Sequence, residues 1–430
     1  MRFRGVNASQ PTVISTQAIS ACGSEPTHKG FRSGSHRVVA PEETLKRVSP
    51  FLQVMGITRI ADVTGLDVIG IPVVMVCRPN SRSLAVSQGK GLDLAAAKAS
   101  GVMESIEAYH AEHITLSVKL TTYEELRYTN RLADIPRLPR TSDSLFDSNL
   151  VIPWIEGYDL LSDEPTWVPY EMVHTNYTVP LRIASAGFPA TSNGLASGNH
   201  RLEAISHAIC ETLERDAATL WHLLDEAELE ATRVDLETVR DPDCRLVLDK
   251  YDRAGVAVAV WETTSDVGIP SFECIITERE DSALRPLFSA EGMGCHPDRS
   301  IALLRALTEA AQSRLTAIVG SRDDLLARDY ERTRSLEILR LNQELMEKTG
   351  AMRRFEDGPS WKSDTFEGDV EWELDRLRVA GIEQVVVVDL SKSAFGIPVV
   401  RTVIPGLETA NRAPNYVPGA RARARQLLKK

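Results

Sequence analysis

Glu104-Ser105-Ile106-Glu107 and Glu211-Thr212-Leu213-Glu214 place carboxylates three residues apart inside stretches that are otherwise apolar nearly all round. A spacing of three puts both side chains on one helix face. The residues leading into each pair, Ala95 to Met103 and Ala204 to Cys210, predict helices buried on most sides. A third helix of this kind carries Glu309-Ala310-Ala311-Gln312. Seven residues before each first glutamate stands an alanine, Ala97, Ala204 or Ala302, and three before stands Gly101, Ala208 or Ala306. Small residues at those positions let another element approach closely. Like charges in a buried helix repel and lose hydration unless a cation or hydrogen-bond donors compensate. The fold must therefore supply that compensation.

Carboxylates converging from several helices would hold Mg²⁺, a hard ion that prefers oxygen ligands and shares them with phosphates. The pattern points to a Mg–nucleotide site built from helix faces. Asn199 and Glu203, four apart, face one way just ahead of the second acidic helix. Ser87-Gln88-Gly89-Lys90-Gly91 reads as a glycine-flanked lysine at a helix start, where N–H groups and a cation could meet phosphate. Gly91 and Gly198, each 13 residues upstream of a first glutamate, mark two such starts. The chain has no P-loop and no G-x-G-x-x-G. It has no G-x-S-x-G elbow either, and no side chain stands out as a protein nucleophile. Glu107, His110 and His113 sit at successive threes, but without H-E-x-x-H a zinc site is not indicated. Cys295-His296 is adjacent only in sequence.

The chain also repeats itself. Gly70-Ile71-Pro72, Gly268-Ile269-Pro270 and Gly396-Ile397-Pro398 each lie between two β-rich runs, and each set reads as strand, turn, strand. One sheet-building unit used three times is implied. Helical patterns cover Leu92–His113, His200–Leu223 and Ile301–Ile318, with a charged surface helix over Asp323–Lys348 and another helix starting near Pro41. Thr121–Asn149 reads as short helices and loops. Strands and helices interleave without strict βαβ order, which places the fold among mixed α/β or α+β architectures. Residues 1–35 read as a poorly ordered tail, 36–410 as one domain and 411–430 as a basic, solvated tail.

Of 430 residues, 49 are Lys or Arg and 60 Asp or Glu, a net charge of −11, which argues against a nucleic-acid grip. No apolar run is long enough for a membrane span, and the N-terminus lacks a secretory signal. Six scattered cysteines without C-x-x-C fit reduced thiols, and a cytoplasmic location is expected.

Ser192–Ile205 followed by Glu211-x-x-Glu214-Arg215-Asp216 resembles the YcaO family of ATP-dependent peptide-backbone modifiers, as do Gly89-Lys90-Gly91 followed by Ser100-x-x-x-Glu104-x-x-Glu107 and the run Arg305 to Arg314. The resemblance spans about His36 to Glu408. It implies an ATP site with more than one Mg²⁺. Carried over by motif, Glu104, Glu107, Glu203, Glu211 and Glu214 would hold metal or phosphate, and Ser100, Lys90, Asn199 and Arg215 would help bind ATP. Glu309 and Gln312 would line the site, and Arg37 and Thr44 match a basic and hydroxyl pair that touches ATP in the family. Two positions depart from the pattern: Ala196 stands where many members have Ser, with Ser197 beside it, and Ala108 stands where many have Arg.

The stretch Gly34 to Thr44 and the ending Ile404 to Glu408 resemble the branch associated with a TfuA partner and thioamide formation. Only Pro414 and Pro418 occur near the C-terminus, without the close proline run of many azoline-forming relatives. The resemblance therefore implies a peptide or protein substrate, a sulfide donor, a TfuA-like partner and a homodimer. Azoline-forming cyclodehydration is the alternative chemistry. An amine–carboxylate ligase and a non-catalytic ATP-binding accessory protein are the other readings.

Overall fold

The computed structural model describes residues 26–179, 187–279, 289–333, 335–347, 352–409 and 415–427. After α1 (Pro41–Val48), the first Gly-Ile-Pro joins β1 (Arg59–Asp62) to β2 (Val73–Cys77), and β3 (Val86–Lys90) completes an antiparallel sheet. The helix α2 (Leu94–Glu112) packs on β3 and β2, its N-terminus capped by the Asp93 side chain. The chain continues through β4 (Val118–Thr121), α3 (Tyr123–Leu126), β5 (Ile152–Asp159), β6 (Glu164–Pro169) and β7 (Leu195–Ser197) into α4 (Arg201–Trp221).

A second unit follows α5 (Glu226–Glu230), β8 (Val234–Asp235) and α6 (Pro242–Arg253). It consists of β9 (Val256–Glu262), β10 (Ser271–Glu278), β11 (Ser289–Cys295) and α7 (Arg299–Val319). Beyond α8 (Ala327–Thr333), α9 (Leu336–Glu347), β12 (Arg353–Arg354) and α10 (Phe366–Val379) comes the third hairpin, β13 (Val386–Asp389) and β14 (Val399–Val403). The chain's last described element is α11 (Ala420–Leu427).

Three hairpins of the expected kind are present, and each turn glycine is left-handed, with φ of 72° at Gly70, 76° at Gly268 and 61° at Gly396. An L side chain is strained there and glycine is not, which is why the turn recurs with the same residue. In every unit the second strand takes a third strand on its far side: β3, β11 or β7. In every unit the helix that follows this third strand carries an acidic face. The third unit is permuted, because β7 and α4 precede their hairpin in the chain.

The small residues have a physical cause. A Cβ at Gly89 would fall on the backbone of Ala97 and Gly101, and one at Gly294 on that of Ala302 and Ala306. Strand and helix backbones thus meet directly. The helix α4 is enclosed by β14, β7 and α10, with Ile205, Ile209 and Leu213 in the same core as Val370, Leu374 and Val400. Each large aliphatic side chain so buried contributes about 1.5–3 kcal/mol, which holds the acidic helices where hydration alone would not.

Four expectations need correction. The segment around Lys90 is strand β3 rather than a helix start, because Gly89 must lie flat against α2. The long charged helix is two helices, α8 and α9, and the Ser335 hydroxyl accepts the Ile338 N–H at the start of the second. Residues 1–25 lie outside the described residues, but 26–35 are not a loose tail: Thr27 bonds Glu367 and buried Lys29 pairs with Asp369 at 2.5 Å. Residues 411–414 and 428–430 also lie outside. Between them, α11 is docked, with Arg421 on buried Asp216 at 3.0 Å.

Candidate active site

A cavity of about 730 Å³ opens between α1, α2, α4 and α7, with residues of the N-terminal segment on its rim. All the residues singled out from the sequence line it: Arg37, Thr44, Lys90, Ser100, Glu104, Glu107, Asn199, Glu203, Glu211, Glu214, Arg215, Glu309 and Gln312. They come from positions as far apart as Arg37 and Gln312 and share one space because the three units present their helices to it.

The charges divide into two groups. Some acids already have a cation. Lys90 Nζ donates to Glu309 Oε2 at 2.6 Å, and together with Arg215 it outweighs burial and keeps the Glu309 carboxyl below its usual range. Arg215 lies 3.4 Å from Glu214, and Arg37 lies 3.8 Å from Glu203. Glu203, only 2% exposed, also accepts the Val38 N–H at 2.9 Å, which ties the N-terminal segment to α4.

Glu104, Glu107 and Glu211 have no salt bridge among the described residues. Burial among protein atoms pushes Glu107 up to about 8, and the charges of Glu104 and Glu211 add to the effect. Burial likewise pushes Glu104 and Glu211 up to about 7, although the Glu104 side chain still opens onto the cavity. Glu107 takes partial compensation from the Ser197 N–H at 2.8 Å and hydroxyl at 2.7 Å. Three neighbouring carboxylates without a salt-bridge partner among the described residues, all with oxygen donors, suit a hard divalent cation such as Mg²⁺. Arg37, Lys90, Arg215, Arg305 and Arg322 on the same walls suit a phosphate chain.

Thr44 and Asn199 are joined, Nδ2 donating to Oγ1 at 2.9 Å, so the first helix is stitched to the segment ahead of α4. Arg47 adds bonds to the Asn199 carbonyl at 2.9 Å and to the Gly396 carbonyl at 2.6 Å. Ser197, Arg305, His207 and Arg322 also line the cavity, beyond the residues that the sequence pointed to. Arg305 donates to His207 Nδ1 at 2.9 Å, which leaves the imidazole proton on Nε2. Their signal was proximity in space, and nothing in local spacing carries that.

Other candidate groups are accounted for. His110 and His113 place Nδ1 on the carbonyls of Ile106 and Tyr109, at 2.7 and 3.0 Å, and among the described residues neither brings a donor atom together with Glu107 in a metal-sized group. His36, His296 and Asp369 bring donor atoms within 4.8 Å of one another outside the cavity. There the Lys29 ammonium already serves Asp369, and His296 Nδ1 accepts the Asp298 N–H at 2.9 Å.

The YcaO family model, described as a cyclodehydratase that binds ATP and Mg²⁺, matches residues 88–408. This chain belongs to the YcaO family. YcaO proteins use ATP with Mg²⁺, and the converging carboxylates and cations of this cavity fit both. An uncharacterized protein from the tfuA 3′ region of Rhizobium leguminosarum bv. trifolii is 39% identical over 381 residues, covering 86% of this chain and 88% of its own length. An uncharacterized protein of Methanothermobacter thermautotrophicus is 35% identical over 402 residues, covering 90% of this chain and 99% of that one.

Among solved structures, YcaO from Methanopyrus kandleri, bound with AMPPCP and Mg²⁺, has the same fold with a TM-score of 0.71 at 21% identity, covering 92% of this chain and 99% of that one. A heterocyclase in complex with substrate and cofactor gives a TM-score of 0.74 at 22% identity over 92% of this chain. This chain spans 55% of that heterocyclase. These two likenesses establish the YcaO fold. No described helix is long and apolar enough to cross a membrane.

Proposed function

We propose that this YcaO protein activates a peptide-backbone amide with ATP and installs a thioamide, acting with a TfuA-like partner and an external sulfide donor. The observation that carries the ATP step is the set of three carboxylates without a salt-bridge partner among the described residues, Glu104, Glu107 and Glu211, lining one cavity with five basic side chains. The thioamide assignment is supported by the relative from the tfuA region and by the likeness of the two chain ends to that branch.

An amide resists attack because resonance blunts its carbonyl and its oxygen leaves poorly. Bound Mg–ATP supplies a phosphoryl group that turns this oxygen into a leaving group, after which sulfide takes its place and ADP and phosphate depart. The chain's own residues bind and orient. Glu104, Glu107, Glu203, Glu211 and Glu214 would hold the metal, while Arg37, Lys90 and Arg215, which line the same cavity, would bind the phosphates. Thr44, Ser100, Asn199, Glu309 and Gln312 complete the nucleotide's surroundings. No protein nucleophile is required, in keeping with an acidic and basic lining.

The test is mass spectrometry of a candidate peptide incubated with the protein, its partner, Mg–ATP and sulfide. A gain of roughly 16 Da marks replacement of oxygen by sulfur, and a loss of roughly 18 Da marks ring closure by a substrate Cys, Ser or Thr on the same activated amide. The second outcome is the azoline-forming reading, which the cyclodehydratase description of the family favours. ATP turnover unaffected by peptide and sulfide would sink both. We further propose that the chain acts as a homodimer in the cytoplasm, with 36–410 as its catalytic domain.

A further inference from the structure

A second, smaller pocket of about 210 Å³ adjoins the main cavity and shares Ser192, Glu211 and Arg215 with it. Thr141, Thr191, Asn193, Asn415 and Tyr416 give it a lining of hydroxyl and amide groups. Any amide phosphorylated in the main cavity must come in beside the groups that hold the phosphates. A pocket walled by the same glutamate and arginine is placed for the other reactant. Among the described residues the side-chain oxygen of Asn193, Oδ1, is buried and has no hydrogen-bond partner. A buried acceptor left unmade costs free energy, so it calls for a donor that arrives from outside.

The loop bearing Asn193 is held from three sides. The Thr191 hydroxyl accepts the Asn193 N–H at 3.3 Å, and the Thr191 carbonyl accepts from Arg401 at 2.8 Å. Leu195 N–H reaches the Ser192 carbonyl at 2.9 Å. Gly194, at φ 79°, packs against Thr402 where a side chain would not fit. An acceptor fixed in this way is preorganised for one geometry.

We propose that Asn193 Oδ1 accepts a backbone N–H of the substrate and so positions the peptide in this pocket, next to Glu211 and Arg215. The inference rests on the amide-activating reading and names the part of the substrate that is read. The substrate segment at this point is a secondary amide. A proline or N-methylated residue would bring no proton to Asn193.

The experiment uses acetyl-glycine N-methylamide as a minimal backbone probe, together with its two singly N-methylated forms. Binding to the full chain with Mg–AMPPCP present is followed by saturation-transfer NMR, and nucleotide affinity is measured separately with a fluorescent ATP analogue. In the wild type, N-methylation at one of the two positions is expected to weaken binding about tenfold. Asn193→Ala should bind the parent probe about as weakly and no longer distinguish that methylated form, while Asn193→Asp, which keeps an acceptor, regains part of the discrimination. ATP-analogue affinity should stay unchanged in both variants. Equal discrimination in wild type and Asn193→Ala, absence of probe binding to the wild type, or loss of nucleotide affinity in the alanine variant would each overturn the assignment. None of these readouts depends on whether the final product is a thioamide, so failure of that chemistry is scored separately.

Discussion

Lys90 and Glu309 belong to different repeats, yet Lys90 Nζ sits 2.6 Å from Glu309 Oε2, so a cation of the first unit neutralises a carboxylate of the second. A charge-assisted bond of this kind contributes about 1.5–3 kcal/mol. Lys90→Met should raise the KM for ATP about tenfold or more, since a 1.4 kcal/mol loss is tenfold. Lys90→Arg should fall between. Steady-state ADP release checks this, and an unchanged KM would remove Lys90 from the nucleotide site.

Glu107 shows stability set against function. Its folded carboxyl is raised from 4.5 to about 8, chiefly by burial, so the folded chain binds its proton more tightly than the unfolded chain does. That contribution is present below pH 4.5 and is lost as pH rises through about 8. Without metal, Glu107→Gln should therefore melt higher than wild type at pH 8, by about 1 °C for each kcal/mol gained in a chain of this length, and match it near pH 4.5. The same variant should need far more Mg²⁺ for ATP turnover. Differential scanning fluorimetry at both pH values, followed by a Mg²⁺ titration, covers both halves.

The docked C-terminal helix predicts a cost for its removal. Arg421 places Nε and Nη2 at 3.0 and 3.1 Å from the oxygens of Asp216, which is 0% exposed and immediately follows Arg215. Removing one member of a buried pair strands the other, at about 3–5 kcal/mol. Urea unfolding of Arg421→Ala should show a loss in that range. A loss below 1 kcal/mol would show that the helix is only loosely held.

Gly89 tests the contact between strand and helix. An alanine Cβ there meets the backbone of Ala97 and Gly101, and neither can move without shifting α2 and with it Glu104 and Glu107. Gly89→Ala should cost at least about 1–3 kcal/mol and weaken ATP binding at a site it does not touch. Gly396→Asn is the control, because nothing lies near its Cβ and Asn tolerates a left-handed φ.

His110 sets part of the acid limit. Desolvation lowers its pKa from 6.5 to about 4, although its bond to the Ile106 carbonyl opposes the shift. A depressed histidine gives stability that is complete above pH 6.5 and disappears as pH falls through about 4. His110→Phe loses a hydrogen bond and some stability at pH 7, but its stability should fall less steeply between pH 6.5 and 4.5. Chemical denaturation at a series of pH values measures the slope.

The hairpins were readable because a left-handed turn admits glycine almost alone and proline marks the strand that follows. The three helices were readable because apolar residues at helical spacing surround each acidic pair. Lys90 lies in a strand although glycines around a lysine resemble a helix start, because the helix that Gly89 packs against is not visible in the local sequence. Asn193, Ser197 and Arg305 lie inside motifs legible in the sequence, but their partners, and Arg322 altogether, are not, because each contact is made with elements distant in the chain.

By itself, the order of residues determined which segments become strand or helix, that one unit recurs, and which glutamates cannot rest in an apolar helix without compensation. Tertiary structure alone decided which of those glutamates receive a cation from the protein and which remain short of one. Backbone periodicity is a property of neighbouring residues, whereas electrostatic balance depends on distances between charges, and these exist only once the three helices have closed around a common space.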